Sequence, residues 1–181
     1  MKRIETALPG VLLLEPAVHR DPRGFFLESY NQRAFETAGV VRTWVQDNHS
    51  RSSCGVVRGL HFQLGRPQAK LIRILQGEVY DAVVDVRKGS PTFGKWIGEL
   101  LRADEHRMLF VPEGFAHGFC VTSPTAEFSY KCSDYYSPAD ERGILWNDPA
   151  LAIPWPVTFP VLSERDRNWK PLARTDPKDL P

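Results

Sequence analysis

Short runs in which apolar and polar residues alternate recur along the chain, which is the pattern of half-buried β-strands. The clearest run is VYDAVVDVR at Val79–Arg87, and the turn residues Gln76–Glu78 separate it from an apolar run at Leu71–Leu75. Four further strands are predicted, at Lys95–Leu101, Arg107–Val111, Gly118–Thr122 and Ala126–Cys132. Short strands at regular intervals, with Gly and Pro between them, favour a sandwich or a barrel.

One short helix interrupts this pattern. It is predicted at Gln32–Ala38, because Asn31 is a good N-cap and Gly39 a good stop. The 181 residues contain no internal repeat and no low-complexity linker, so we expect one domain over residues 1–181. Only the tail from about residue 171, with Pro177 and Pro181, is predicted to be loosely held.

Composition and charge narrow the possible function classes. The hydrophobic content of 42% is that of a folded protein. A net charge of +1 argues against a general nucleic-acid binder, although a single anionic ligand remains possible. The three cysteines, Cys54, Cys120 and Cys132, are an odd count without CxxC spacing, so each is expected to be a small buried or half-buried residue. The N-terminal apolar patch is broken by proline and glycine, which predicts a soluble, cytoplasmic protein without a membrane span.

The first candidate chemistry lies in PEGFAHGF at Pro112–Phe119, whose spacing resembles the second motif of the cupin barrels, with His117 at the mouth of a jelly roll. The first cupin motif offers His-x-His, then Glu, then six residues and Gly. This chain has His61–Gln63 instead, and Lys70 precedes Gly77 at the spacing of the glutamate. Because an ammonium group repels a divalent cation, we expect a cupin-shaped pocket without a metal, in which Lys70 supplies positive charge.

A histidine and a lysine in one pocket can carry out proton chemistry. A neutral imidazole such as His61 accepts a proton near neutral pH, and a lysine beside a carbonyl oxygen stabilises the enolate formed by α-proton removal. Inversion then needs an acid on the opposite face, for which Tyr130 is a candidate, and Asp166 is a candidate carboxylate to orient the histidine. Taken singly, His61 and Tyr130 could be core residues, and Lys70 and Asp166 surface residues.

Ordered blocks from about Ile4 to Lys170 resemble the dTDP-4-dehydrorhamnose 3,5-epimerase family. The blocks are DPRGFFLESYN (Asp21–Asn31), VQDNHSRSSCGVVRGLHFQ (Val45–Gln63), VDVRKGSPTFGKW (Val84–Trp96), VPEGFAHGF (Val111–Phe119), YKCSDYYSPADERGILWNDP (Tyr130–Pro149) and WP…LSERD (Trp155–Asp166). The resemblance implies an all-β, cupin-type jelly-roll barrel with a few short helices. It also implies a homodimer without metal or cofactor that epimerises a nucleotide-linked 4-keto-6-deoxyhexose at C3 and C5.

The resemblance also implies residue roles. His61 is expected to be the base, Tyr130 the acid and Asp166 the partner of the base, with Lys70 and His117 around the sugar. The nucleotide is expected to be bound by Arg23, Glu28, Gln46, Asn48, Arg58, Glu141 and Lys170. Phe26 would stack on thymine or pack in the core, and Arg23 and Glu28 can act in the partner subunit's site.

Other functions remain open at this stage. Relatives that invert only C3 or only C5 would share the same blocks. A metal-dependent cupin enzyme, such as a dioxygenase, is disfavoured by Gln63 and Lys70 at ligand positions. A silent sugar-nucleotide binding module is disfavoured by the complete set of His61, Lys70 and Tyr130.

Overall fold

The computed structural model describes every residue from Met1 to Pro181. Its strands, in chain order, are β1 (Lys2–Glu5), β2 (Leu12–Glu15), β3 (Val18–Asp21), β4 (Gly24–Leu27), β5 (Gln46–Ser53), β6 (Val57–Gln63), β7 (Lys70–Gln76), β8 (Glu78–Asp85), β9 (Trp96–Arg102), β10 (Met108–Val111), β11 (Phe115–Val121), β12 (Thr125–Cys132) and β13 (Glu141–Gly143). The helices are α1 (Gln32–Thr37) and α2 (Glu164–Asn168), and 3₁₀ turns follow at Leu172–Arg174 and Pro177–Asp179.

Two antiparallel sheets face each other and form a jelly-roll barrel. One sheet has the order β1-β2-β10-β7-β12-β5, and the other has the order β13-β6-β11-β8-β9. Alternate residues of both sheets point inward and form the main core, in which Ile72, Val83 and Phe128 are all buried. The two-residue period of a strand places these side chains on one face. The predicted fold class, an all-β cupin-type jelly roll, is confirmed.

The predicted strands correspond to β7, β8, β9, β10, β11 and β12. The largest difference is in β11, which begins at Phe115 rather than at Gly118, because it pairs with β8 from its first residue. Every residue of β11 is buried, so it shows no alternation in the sequence. The turn predicted before β8 is present: Gly77 has φ +75°, and a Cβ there would collide with the carbonyl oxygen of Thr125.

The predicted helix α1 is also present. The side chain of Asn31 accepts a hydrogen bond from the amide of Ala34, and Gly39 follows the helix with φ +89°. The helix packs Phe35 against Leu14 and Phe110 on the outer face of the six-stranded sheet. This face therefore has a small core of its own.

The outer face of the five-stranded sheet is covered by the C-terminal segment. Leu172 and Leu180 are buried there against Val84 and other residues of the sheet. The carbonyl of Pro181 also accepts a hydrogen bond of 2.7 Å from the amide of Lys88. This docked arrangement differs from the loosely held tail that the sequence predicts, because two leucines spaced along the tail bury apolar surface.

Strands β3 and β4 form a separate two-stranded hairpin. Its aromatic residues Phe25 and Phe26 are 53% and 71% exposed, so the hairpin presents an apolar surface to solvent in the single chain.

All three cysteines are free thiols. Cys120 and Cys132 are buried, as expected, whereas the expectation of burial is wrong for Cys54, which is exposed in the turn between β5 and β6. The helices of this protein are too short and too polar for any of them to cross a membrane.

Candidate active site

A pocket of about 610 Å³ opens between the two sheets of the barrel. Strands β6 and β11 of one sheet and β7 and β12 of the other direct side chains into it. The sequence-predicted residues that line it are Gln46, Asn48, Arg58, His61, Lys70, His117, Tyr130, Glu141 and Asp166. The fold therefore brings all four predicted catalytic residues together from distant parts of the chain.

His61 and Asp166 are joined by a side-chain hydrogen bond at the wall of the pocket. Nε2 of His61 lies 2.5 Å from Oδ1 of Asp166, which is buried on α2. Burial favours the neutral acid, but the hydrogen bond and charge of His61 outweigh it, so the pKa of Asp166 is lowered. A carboxylate in this position orients the imidazole and leaves Nδ1 as the ring nitrogen that is not bonded to Asp166.

A second histidine–aspartate pair lies deeper in the barrel. Nε2 of His117 is 2.9 Å from both carboxylate oxygens of Asp81, and both residues are buried. Burial lowers the pKa of His117, and the charge and hydrogen bonds of Asp81 act in the opposite direction without cancelling that effect. Sequence reasoning missed Asp81, although a carboxylate at an inward position of the apolar run VYDAVVDVR is a visible signal.

Lys70 begins β7 and reaches into the same pocket. Burial lowers the pKa of its ammonium group, and the nearby Cys132, Asp81 and Glu141 act in the opposite direction. The pocket thus contains a poorly solvated amino group, which carries a positive charge when it is protonated. Such a charge interacts strongly with an oxyanion, because little water screens it.

Tyr130 faces the pocket from β12, in the sheet opposite to that of His61. Burial raises the pKa of its phenol to about 12, so the group is protonated at neutral pH. The ring packs edge-on against Phe128 with centroids 5.8 Å apart, which restricts its orientation. A base and a proton donor therefore face the pocket from opposite sides.

Polar side chains along β5 and β6 form the outer wall of the pocket. Nε2 of Gln46 donates to Oδ1 of Asn48 at 2.9 Å, and Arg58 donates to the hydroxyl of Ser52. Amides held in this way present fixed donors and acceptors to a ligand, and a guanidinium suits a phosphate group.

Lys170, which the sequence predicts to bind the nucleotide, does not line the pocket. Lys170 is exposed and pairs through its backbone with Ile144, outside the pocket. The basic residue that lines this side is Arg165, whose Nη1 contacts Glu141 and the hydroxyl of Tyr136. Sequence reasoning missed Arg165, although it lies beside Asp166 in the same LSERD motif.

Three further predicted residues lie outside the pocket of their own chain. Arg23 and Phe26 lie on the β3–β4 hairpin, where Arg23 forms a salt bridge of 2.5 Å with Asp21. Glu28 follows the hairpin and accepts a hydrogen bond of 3.1 Å from Asn31. None of these three residues lines the pocket of its own chain.

Gln63 does not face the pocket. Its amide donates to the carbonyls of Arg66 and Tyr135 and accepts from the amide of Ser137, so it ties two loops together. No group of three or more His, Cys, Asp or Glu side chains has an arrangement that could hold a metal ion.

The chain matches the sequence model of the family described as dTDP-4-dehydrorhamnose 3,5-epimerase over residues 5–174. It is 56% identical, over 178 residues, to the dTDP-4-dehydrorhamnose 3,5-epimerase of Pseudomonas aeruginosa. That match covers 97% of this chain and 98% of the relative.

Solved structures give the same result. A dTDP-6-deoxy-D-glucose-3,5-epimerase from Legionella pneumophila, in complex with dTDP-4-keto-L-rhamnose, has a TM-score of 0.96 and 46% identity, covering 99% of this chain and 97% of that one. A 3′-monoepimerase from Streptomyces bikiniensis, in complex with dTDP-quinovose, is more distant, with a TM-score of 0.87 and 34% identity over 93% of this chain and 86% of that one.

Proposed function

The chain belongs to the dTDP-4-dehydrorhamnose 3,5-epimerase family, and we propose that His61, Lys70 and Tyr130 carry out its reaction. The enzyme is an isomerase that epimerises dTDP-4-dehydro-6-deoxy-D-glucose at C3 and C5 to dTDP-4-dehydro-L-rhamnose, in dTDP-L-rhamnose biosynthesis. One observation carries the assignment of roles: a histidine paired with a buried carboxylate and a protonated tyrosine face one pocket from opposite sheets.

The first step is removal of the proton from a carbon next to the C4 ketone. His61 is the base, and the proton goes to the ring nitrogen that is not bonded to Asp166. The electron pair of the C–H bond moves to form the enolate. Asp166 then balances the positive imidazolium, which costs less than creating a lone charge in a half-buried site.

The enolate oxygen needs a positive or hydrogen-bonding partner. Lys70 supplies the charge from β7, and His117 is a second polar group that lines the pocket, from β11 in the opposite sheet. The carboxylate of Asp81 holds the ring of His117 in place. Donors that are already oriented stabilise the developing negative charge without a further reorganisation cost.

Inversion requires that the proton return on the opposite face. Tyr130 donates its phenolic proton to the enolate carbon, the C–H bond forms again, and the ketone is restored. The proton on His61 then passes to solvent and the phenolate of Tyr130 takes up a proton from solvent. The same sequence of steps can then serve the second carbon, because C3 and C5 are both next to the C4 carbonyl. No redox step and no group transfer is involved.

Incubation with dTDP-4-dehydro-6-deoxy-D-glucose in deuterated water tests this function. We expect NMR to show solvent deuterium at both C3 and C5 with inversion at both carbons. A sample treated with a chelator should behave in the same way, because Lys70 occupies the position at which cupins bind a metal. Label at only one carbon would contradict the two-carbon reaction, and activity that returns only with added metal would contradict the metal-free mechanism.

We further propose that the enzyme is a cytoplasmic homodimer in which the hairpin of one subunit completes the pocket of the other. Exposed Phe25 and Phe26 on the hairpin support this, as does the position of Arg23 outside its own pocket. Strand β5 is a sheet edge that also lines the pocket, and such an edge can pair with a strand of a second chain. The free thiols fit a reducing compartment.

Mixing two weakly active variants tests the exchange of hairpins. Arg23→Ala and His61→Ala subunits, unfolded and refolded together, should form hybrid dimers that each contain one intact site. Random pairing puts about half of the molecules in hybrids, so activity should recover to about a quarter of the wild-type value. A mixture that is no more active than its two parents would place Arg23 outside the partner's site.

A further inference from the structure

Trp169 lies at the C-terminal end of α2, the helix that carries Asp166. Its indole packs flat on Gly143: a Cβ built at that glycine would lie no more than 2.6 Å from Cε2, Nε1 and Cδ2 of the ring. Gly143 is in turn directly opposite His61 in the pairing of β13 with β6. The tryptophan therefore occupies space that exists only because residue 143 has no side chain.

The same indole contacts the catalytic histidine. Its ring centroid is 6.4 Å from that of His61, with an angle of 69° between the planes. Contacts thus run from His61 to Gly143 by strand pairing, from Gly143 to Trp169 by packing, and from Trp169 through α2 to Asp166. The hydrogen bond between Asp166 and His61 completes this circuit.

We infer that Trp169, seated on Gly143, is a positioning residue that holds Asp166 against His61; the inference rests on the proposed role of this pair. Helix α2 has only five residues, and a helix of that length is not stable without tertiary contacts. Ser163 caps its N-terminal end by accepting from the amide of Asp166. Trp169 is the side chain that anchors the other end.

The chain that follows Trp169 is also held firmly. The carbonyl of Lys170 accepts from the amide of Leu145 at 3.0 Å, and the amide of Leu172 donates to the buried carboxylate of Asp148 at 2.6 Å. Trp169 is therefore held on both sides, by α2 before it and by the hydrogen-bonded segment Lys170–Leu172 after it. A shift of the indole would move Asp166 relative to a histidine that is fixed in β6.

The indole of Trp169 holds Asp166 in position by packing rather than by hydrogen bonding. Its Nε1 is buried and has no acceptor within the chain. The ring instead shields one side of the imidazole, and exclusion of water strengthens the hydrogen bond between His61 and Asp166. A phenylalanine should therefore replace Trp169 better than a small residue can.

A double-mutant cycle separates positioning from general stability. Trp169→Ala should lower kcat on the order of 10- to 100-fold with KM little changed, since small displacements of catalytic groups have effects of this size. In an Asp166→Asn background the same substitution should lower kcat less than about threefold, because the pair that Trp169 positions is already lost.

Trp169→Phe should keep most of the activity. Gly143→Ala should lower kcat in the wild type but have little effect in Trp169→Ala, where the space is free.

Trp155→Ala is the matched control. Trp155 packs edge-on against Tyr80 on the outer face of the same sheet, with centroids 5.9 Å apart, and its Nε1 donates to the carbonyl of Trp146. Its loss should lower the melting temperature, leave the kcat of the folded enzyme near normal, and be additive with Asp166→Asn. Additivity for Trp169→Ala as well, or an unchanged kcat, would overturn the inference. Neither result bears on the proposed function, which is tested separately by deuterium incorporation in the wild type and by the loss of proton exchange expected in His61→Ala.

Discussion

His61→Ala should abolish the incorporation of solvent deuterium at both C3 and C5 of the substrate. The imidazole is the base in the proposed mechanism, so without it the enolate should not form. General acid–base groups contribute roughly 10²–10⁴-fold each, so the loss is large enough to measure by NMR over a simple time course. The nucleotide should still bind, because the groups proposed to contact it are unchanged.

Tyr130→Phe separates the two proton transfers. The enolate can still form in this variant, because His61, Asp166 and Lys70 are intact. We expect some exchange at C3 and C5 to remain while inversion is impaired. If Tyr130→Phe and His61→Ala lose exchange equally, the assignment of separate base and acid roles is wrong.

His49→Ala is a suitable control for the histidine substitution. His49 lies on β5 near the pocket, but its ring points to the outer face and pairs with Glu127 at 3.3 Å. Its side chain is 56% exposed, so removing it should have little effect on exchange or on inversion. A marked loss of activity in this variant would show that the effect of His61→Ala is not specific.

Lys70→Ala should lower kcat on the order of 10²–10³-fold while it changes dTDP binding much less. The ammonium group interacts with a negative charge that is fully developed only in the enolate, so its removal affects the transition state more than the ground state. Steady-state kinetics with the substrate and a direct binding measurement with dTDP distinguish the two effects.

Lys70→Glu should be less active than Lys70→Ala, because a carboxylate repels the developing enolate. It also partly restores a cupin ligand set, so weak metal uptake is an expected side effect. Lys131→Ala is the control, since Lys131 pairs with Asp47 on the outer face of β12 and should not affect turnover. Near-normal turnover in Lys70→Ala would mean that another group, foremost His117, stabilises the enolate.

The fold and the principal chemistry could be predicted from the sequence because they depend on local patterns and ordered motifs. An apolar run that ends in a turn predicted β7, alternation predicted β8 and β12, and the cap and stop residues of α1 predicted the helix. The sequence prediction missed the first three residues of β11, because both faces of this strand are buried and its residues therefore do not alternate between apolar and polar. His61 and Tyr130 lie in blocks typical of the family, whereas Lys70 was recognised by its spacing to Gly77, which is that of the cupin glutamate.

Only the tertiary structure decided which of these residues meet. Asp166 reaches His61 across 105 positions of the chain, and Asp81 meets His117 across 36, in each case because the jelly roll brings remote segments to one pocket. It also placed Arg165 in the pocket and Lys170 outside it, although both are basic residues in the same segment. Residue type and spacing determine what a side chain can do, whereas the closure of the barrel and the path of the C-terminal segment determine where it does it.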